Sequence, residues 1–183
     1  MYLFLDTETT GISPNDRIVS ICCAFFDSRG HKLNSLYVLI RPDGFEVPLA
    51  ATAIHGITTE RARREGHPIL ATLVNINSEI SVQSPSLLVG HNIEFDRSIL
   101  SNEYERIGMQ DPFSEMVSFC TMKQTTDLCR IPSRYGNFKW PKLDELYSFL
   151  FKKARIGEHN AQIDVEDCAR CFFELKRLGY ISC

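Results

Sequence analysis

The sequence predicts an α/β fold in which helices cover a mixed β-sheet. Three strand-like runs come first, and the short turns between them indicate antiparallel neighbours. Beyond about residue 48 the apolar residues recur at helical spacing, and one further short apolar run interrupts the helices near residue 88. Strands followed by helices that alternate with strands are typical of a sheet with helices packed on its faces.

The three N-terminal strands are predicted over 2–9, 17–27 and 33–41. Each is rich in the β-branched, aromatic and other apolar residues that favour an extended chain. Clusters of glycine, aspartate, asparagine and serine at 11–16 and 27–30 mark the turns between them.

The remaining elements are predicted from helical periodicity and from the residues that begin and end helices. They are, in order, a helix from Pro68 to about 82, a short buried strand over 86–89, a helix over 94–107, a segment over 119–128 that fits either strand or helix, a loop over 130–141, and helices over 142–152 and 163–178. No repeat or linker interrupts the chain, so we expect a single domain over 1–183.

Composition indicates an ordinary globular protein, with 44% hydrophobic and 23% charged residues. The seven cysteines are odd in number and scattered, which is unlike a secreted disulfide framework, so reduced thiols and a cytoplasmic location are expected. No signal sequence is recognisable, and no apolar run reaches the ~18 residues of a membrane span. We therefore expect no membrane partner.

The distribution of charge is uneven. The net charge of −3 argues against a strongly basic nucleic-acid-binding surface. Between residues 123 and 155, however, eight basic residues stand against three acidic ones. This segment is the predicted anion-binding region.

Two carboxylates, Asp6 and Glu8, end the first predicted strand. Residues two apart in a strand share a face, so both side chains would point the same way and would need a cation between them. On its own this pattern also fits an ordinary polar strand end. Further along, Asp96 follows Phe95 in the first turn of a predicted helix, and Asp164 follows His159 by five residues.

Four carboxylates and one imidazole are the groups that a two-metal phosphodiester hydrolase requires. Carboxylate oxygens suit hard cations such as Mg²⁺. An imidazole with a pKa of ~6.5 suits a general base near neutral pH. In a helix His159 and Asp164 would face different directions, so we expect His159 on the loop before the last helix.

Three segments, 6–11, 91–96 and 159–164, closely resemble the three motifs of the DEDDh 3′-5′ exonucleases. This DnaQ-like family includes the epsilon subunit of bacterial DNA polymerase III, RNase T and the TREX enzymes. The resemblance spans essentially the whole chain and implies a ribonuclease H-like fold, with a mixed five-stranded sheet flanked by helices.

By motif position, the resemblance assigns a role to each of the five polar residues. Asp6 would bridge two divalent ions, Mg²⁺ or Mn²⁺. Glu8 and Asp164 would help to hold the ion that carries the attacking water, and Asp96 would serve the second ion. His159 would be the general base.

The same resemblance implies a pocket for the terminal nucleotide. The residues that would grip its sugar and base are Thr9, Ile12, Ile54, His55 and Phe95. Two alternatives stay open at this point. Ile12, Ile54 and Phe95 would also suit a hydrophobic core, and His55 would also suit a local backbone hydrogen bond.

A loop rich in basic and aromatic residues also has two interpretations. Tyr135, Phe138 and Trp140 lie among arginines and lysines, a combination that stacks bases and contacts phosphates in single-strand-binding proteins. Equally, the aromatic rings would pack on the core while the charges stay in solvent.

The expected function is metal-dependent removal of 5′-mononucleotides from the 3′ end of DNA or RNA. No tail or clamp-binding peptide of a polymerase subunit is recognisable, which favours a free-standing enzyme in repair, end-trimming or RNA processing. The alternative is a non-catalytic or polymerase-associated subunit that binds 3′ ends or proofreads. A homodimer and a polymerase or repair partner remain open.

Overall fold

The computed structural model describes residues 1–13, 15–134, 136–155 and 160–182. Its strands are β1 Tyr2–Thr9, β2 Ile18–Phe26, β3 Lys32–Leu39, β4 Leu87–Gly90 and β5 Ser118–Cys120. Its helices are α1 Leu49–His55, α2 Thr59–Glu65, α3 Ile69–Gln83, α4 Ile93–Arg106, α5 Thr121–Gln124, α6 Thr126–Cys129, α7 Leu143–Phe151 and α8 Ala161–Arg177. The predicted α/β class is confirmed.

The five strands form one mixed sheet in the order β3-β2-β1-β4-β5. The first three strands pair antiparallel, as their short connections require, whereas β4 and β5 run parallel to β1. The carboxyl ends of β1, β4 and β5 therefore meet at one edge of the sheet. We call this the active edge.

Alternation along β1 divides the core between the two faces of the sheet. Leu3 and Leu5 are buried in a cluster with α3 and α4, whereas Tyr2 and Phe4 are buried in a second cluster with α7 and α8. The even-numbered residues of β1 thus face α8. This parity decides on which face of the sheet any polar residue at the end of β1 emerges.

Phe172 fixes α8 against the sheet. Its ring makes edge-to-face contacts with Tyr2, Phe4 and Phe119, at centroid distances of 5.2, 5.5 and 5.3 Å. Such pairs add to the free energy that burial of the rings contributes. The first turn of α8 is consequently held over the end of β1.

Two segments differ in detail from the sequence-based expectation. The ambiguous segment 119–128 is both strand and helix, because β5 ends at Cys120 and α5 begins at Thr121. The segment 130–141 contains a short antiparallel bridge between Pro132 and Phe138 rather than an unstructured loop. Among the described residues, none of the helices combines the length and the hydropathy that crossing a membrane requires.

Glu103 ties the turn after β1 to α4. Its carboxylate is 1% exposed, accepts hydrogen bonds from Arg17 Nε at 2.7 Å and Nη2 at 3.2 Å, and lies 3.2 Å from Arg106 Nη1. Arg17 in turn exchanges hydrogen bonds with Thr10, which closes the turn. The ion pair thus fixes the backbone that follows the acidic end of β1.

Replacing Glu103 by glutamine should lower the free energy of unfolding by about 2 kcal/mol, because a buried pair loses its charge while Arg17 keeps partial access to water. Urea denaturation measures this loss. Glu105→Gln, an exposed change two residues along the same helix, serves as the matched control and should shift stability by less than about 0.5 kcal/mol. Equal losses in the two variants would contradict this account of the ion pair.

Candidate active site

Three carboxylates converge at the active edge. Asp6 and Glu8 project from the even-numbered side of β1, and Asp164 projects from the first turn of α8. One oxygen of each side chain lies within 4.8 Å of the others, and all three residues keep some exposure to solvent. Oxygen atoms at this spacing suit a hard divalent cation.

Asp96 stands beside this group, on the other face of β1. Gly90 permits the approach of α4, since a Cβ there would lie 3.0 Å from the carbonyl oxygen of Leu5 and 2.8 Å from Ile93. Asp96 Oδ1 accepts hydrogen bonds from the backbone N–H of Thr7 at 3.0 Å and from its hydroxyl at 2.8 Å. The structure therefore brings Asp96 to the site but ties one of its oxygens to β1.

The carboxylates raise one another's pKa values. Burial, followed by repulsion from Asp96, Asp164 and Glu8, raises the pKa of Asp6 well above its ordinary value. Burial, followed by repulsion from Asp164 and Asp96, raises the pKa of Glu8 to about 7. Burial also raises the pKa of Asp96 to about 7, although its hydrogen bonds from Thr7 oppose the shift. A positive charge at this position would lower the pKa values of all three carboxylates.

Arg155 supplies one such positive charge. Its guanidinium is 4% exposed, donates to Asp167 at 2.7 Å and Asp144 at 2.9 Å, and also donates to Asp164. The sequence-based interpretation counted Arg155 in a basic, anion-binding segment. That interpretation was wrong for this residue, because its charge is turned inward and balanced by carboxylates of α7 and α8.

The predicted base, His159, lies outside the described residues. The helix that carries Asp164 begins at Ala161, and the side chain of Asn160 caps it by accepting a hydrogen bond from the backbone N–H of Ile163 at 2.9 Å. His159 therefore precedes the first residue of α8 in the chain by two positions. Its role as general base remains a prediction.

A cleft opens from Glu8 toward α1. All five residues predicted to hold a terminal nucleotide line it: Thr9, Ile12, Ile54, His55 and Phe95. Its volume is about 310 Å³. Ile12 and Ile54 are 93% and 70% exposed, so neither is a core residue, whereas Phe95 packs partly against the core and partly lines the cleft.

His55 makes the local backbone hydrogen bond that the second of the two sequence-based interpretations predicted. Its Nδ1 accepts from the N–H of Ile57 at 3.1 Å, while its Nε2 is buried and makes no hydrogen bond of normal geometry with the described residues. Burial lowers the pKa of His55, and the nearby backbone of Thr9 partly opposes this shift. His55 is thus a largely buried imidazole that lines the cleft.

His91 connects the active edge to the segment before α7. Its Nε2–H donates to the carbonyl oxygen of Pro141 at 2.9 Å, and its Nδ1 lies 3.0 Å from the hydroxyl of Thr121. Burial lowers the pKa of His91 to about 4. Sequence reasoning placed His91 in a motif without giving it a role, and no sequence signal pointed to Pro141 as its partner.

Comparison with known proteins identifies the family. The RNase T family profile, described as an exonuclease, matches residues 3–172. The uncharacterized exonuclease CP81 of Escherichia phage 186 is 31% identical over 147 residues, which cover 77% of this chain and 70% of the phage protein.

Solved structures share the fold. Exonuclease I of E. coli, in complex with a 5cy-dT13 oligonucleotide, superposes with a TM-score of 0.79 at 21% identity, over 96% of this chain and 40% of that chain. Exonuclease I of Methylocaldum szegediense gives a TM-score of 0.79 at 18% identity, over 96% and 40%. The present chain thus spans less than half the length of these exonucleases.

These likenesses confirm the ribonuclease H-like fold that the three motifs predicted. The family profile covers most of the chain, and the phage relative is similar over most of its length. The protein therefore belongs to the RNase T family of exonucleases, in the DEDDh, DnaQ-like group.

Proposed function

We propose that a single domain over 1–183 removes 5′-mononucleotides, one at a time, from the 3′ end of a nucleic acid in a reaction that requires divalent cations. The convergence of Asp6, Glu8 and Asp164 within 4.8 Å carries this proposal. The cleft beside Glu8 supports it, because its volume of about 310 Å³ lies within the range of small-ligand sites.

The acidic group fits Mg²⁺ or Mn²⁺ by its chemistry. Its donors are carboxylate oxygens, and burial followed by mutual repulsion raises the pKa values of Asp6 and Glu8, a cost that a bound cation would offset. Asp6, Glu8 and Asp164 would hold one ion, and Asp6 with Asp96 would hold a second. Bound in this way, the ions would activate water and stabilise the departing oxygen.

The surrounding residues orient the acidic group. Thr7 holds Asp96 by two hydrogen bonds, and Arg155 holds Asp164. We propose that His159 accepts the proton of the attacking water, since a neutral imidazole is a suitable base at neutral pH.

The cleft would receive the last nucleotide of the strand. Ile12, Ile54 and Phe95 offer apolar contacts to the base, and Thr9 and His55 offer polar atoms to the sugar. Structures of exonuclease I have been solved with single-stranded DNA, for example a dA16 oligonucleotide. Single-stranded DNA is accordingly the first substrate to test, with single-stranded RNA beside it.

Asp6→Asn should abolish release of mononucleotides, since it removes the carboxylate shared by both proposed cation sites. The measurement is time-resolved digestion of a 3′-labelled oligonucleotide with Mg²⁺ or Mn²⁺ and an EDTA control. Asp43→Asn, an exposed aspartate away from the acidic group, should retain wild-type activity. Tight binding of 3′ ends without cleavage by the wild-type protein would favour the alternative of a non-catalytic subunit.

His159→Ala should reduce kcat by ~10²-fold or more if this residue is the base. The exposed His31, which pairs with Asp27, provides the control, and His31→Ala should leave kcat unchanged. The activity of His159→Ala above about pH 8 tests the assignment further. It should recover in part there, because hydroxide partly replaces the missing base. A His159→Ala enzyme with full activity at neutral pH would remove the histidine from the mechanism.

The stability of the metal-free protein should fall as the pH rises from about 5 to about 8. The pKa of Glu8 rises from its ordinary 4.5 to about 7 in the folded state, so the folded protein retains a proton that the unfolded chain has released. This costs stability on the order of 3 kcal/mol above the folded pKa. Thermal unfolding in EDTA measures the effect.

Two comparisons accompany the thermal unfolding experiment in EDTA. Glu8→Gln should make the pH dependence in EDTA less steep, with Asp6 and Asp96 accounting for what remains, whereas Glu105→Gln, an exposed control, should preserve it. Saturating Mn²⁺ should raise the melting temperature and also flatten the curve, since a ligand that binds only the folded state stabilises it. The same pH dependence with and without Mn²⁺ would show that no cation binds at these carboxylates.

A further inference from the structure

The segment 130–142 is here called the basic hairpin; residue 135 lies outside the described residues. The backbone N–H of Ser133 donates to Asn137 at 2.8 Å, and that of Lys139 donates to Ile131 at 2.9 Å. Pro132 and Phe138 form an antiparallel bridge between these bonds. These bonds pair the two arms of the hairpin.

Two contacts attach the basic hairpin to the active edge. At its C-terminal end, the carbonyl of Pro141 accepts the hydrogen bond from His91, which directly follows β4. Lys139 pairs with Glu145 at 2.5 Å, in the first turn of α7. The hairpin therefore lies at the same end of the sheet as the carboxylates.

Two aromatic rings of the basic hairpin face solvent. Phe138 is 43% exposed and Trp140 is 59% exposed, so the interpretation in which they pack on the core is wrong. The ammonium of Lys123 lies 5.9 Å from the centre of the Trp140 ring, and this lysine pairs with Glu94 at 2.9 Å. Since Glu94 is in the first turn of α4, Lys123 links Trp140 to the helix that carries Asp96.

The charge of the basic hairpin is one-sided. It contains four basic residues and no acidic residue, although the whole chain carries a net charge of −3. Arg130 and Arg134 form no ion pair within the part of the chain that the structure describes. Exposed rings beside unpaired arginines complement a strand with unstacked bases and a phosphate backbone.

We propose that the basic hairpin binds the single strand on the 5′ side of the nucleotide being removed. Phe138 and Trp140 stack on successive bases, and Arg130 and Arg134 contact phosphates. Stacking on exposed rings requires unpaired bases, so the surface favours single-stranded over duplex substrate. This proposal rests on the proposed function and extends the binding site beyond the terminal cleft.

Fluorescence tests the contact directly, because Trp140 is the one tryptophan of the chain. The Asp6→Asn protein, with Mg²⁺ present, is titrated with the oligonucleotides dT12 and dT3. Stacking should quench the emission of Trp140 with dT12 at the same midpoint as binding measured by fluorescence anisotropy of labelled dT12, and quench it much less with dT3. Saturable binding of dT12 with unchanged emission would overturn the proposal.

Variants distinguish binding at the basic hairpin from binding at the terminal cleft. Trp140→Ala and Phe138→Ala should each raise the KM for dT12 about tenfold, since one stacked base is worth ~1–3 kcal/mol. The loss in kcat/KM should be at least about fivefold greater for dT12 than for dT3. Trp140→Phe, which keeps a ring, should restore most of the affinity, and Tyr180→Ala, an exposed aromatic residue elsewhere, should have no effect.

Salt dependence tests the arginines. Replacing both Arg130 and Arg134 by glutamine should reduce the slope of log Kd against log salt by about 1.4, or ~0.7 for each single-strand phosphate contact. An unchanged slope, or equal losses on dT12 and dT3, would overturn the proposal while leaving exonuclease activity intact. Absence of hydrolysis in the wild-type protein would instead refute the proposed function.

Discussion

The alternation of side chains along β1 is the constraint on which the site depends. Tyr2 and Phe4 face α8 and hold it through Phe172, so the next even-numbered residues, Asp6 and Glu8, emerge on the same face, toward Asp164. A slip of one residue in the register of β1 would turn both the aromatic rings and the carboxylates to the other face of the sheet. The same register of β1 is therefore required both for packing of the core and for assembly of the acidic group.

The electrostatics of the site follow from this packing. Carboxylates brought together by the core repel one another, and the protein meets the repulsion in two ways. Protons are retained near neutral pH on Glu8 and Asp96, and the buried guanidinium of Arg155 bridges α7 and α8. Among the described residues, hydrophobic packing thus positions the acidic group, and Arg155 holds Asp164 within it.

The sequence was sufficient for the features that depend on local pattern. Strand alternation and helical periodicity predicted the α/β class, and the resemblance of the three motifs to a known family implied a shared site for Asp6, Glu8 and Asp164. Features that depend on long-range contacts could not be predicted. For example, the sequence around Arg155 does not show whether its guanidinium is buried or solvated. Ile12 is apolar yet 93% exposed, and hydropathy alone cannot separate a cleft residue from a core residue.

The hydrogen bond from His91 to Pro141 has a consequence for how acidity acts on the protein. Because the pKa of His91 is held near 4, its ring stays neutral at the pH values at which Glu8 and Asp96 exchange protons. The link between β4 and the segment before α7 is consequently the same on both sides of neutrality. Changes in pH near neutrality therefore alter the charge of the acidic group without altering this hydrogen bond.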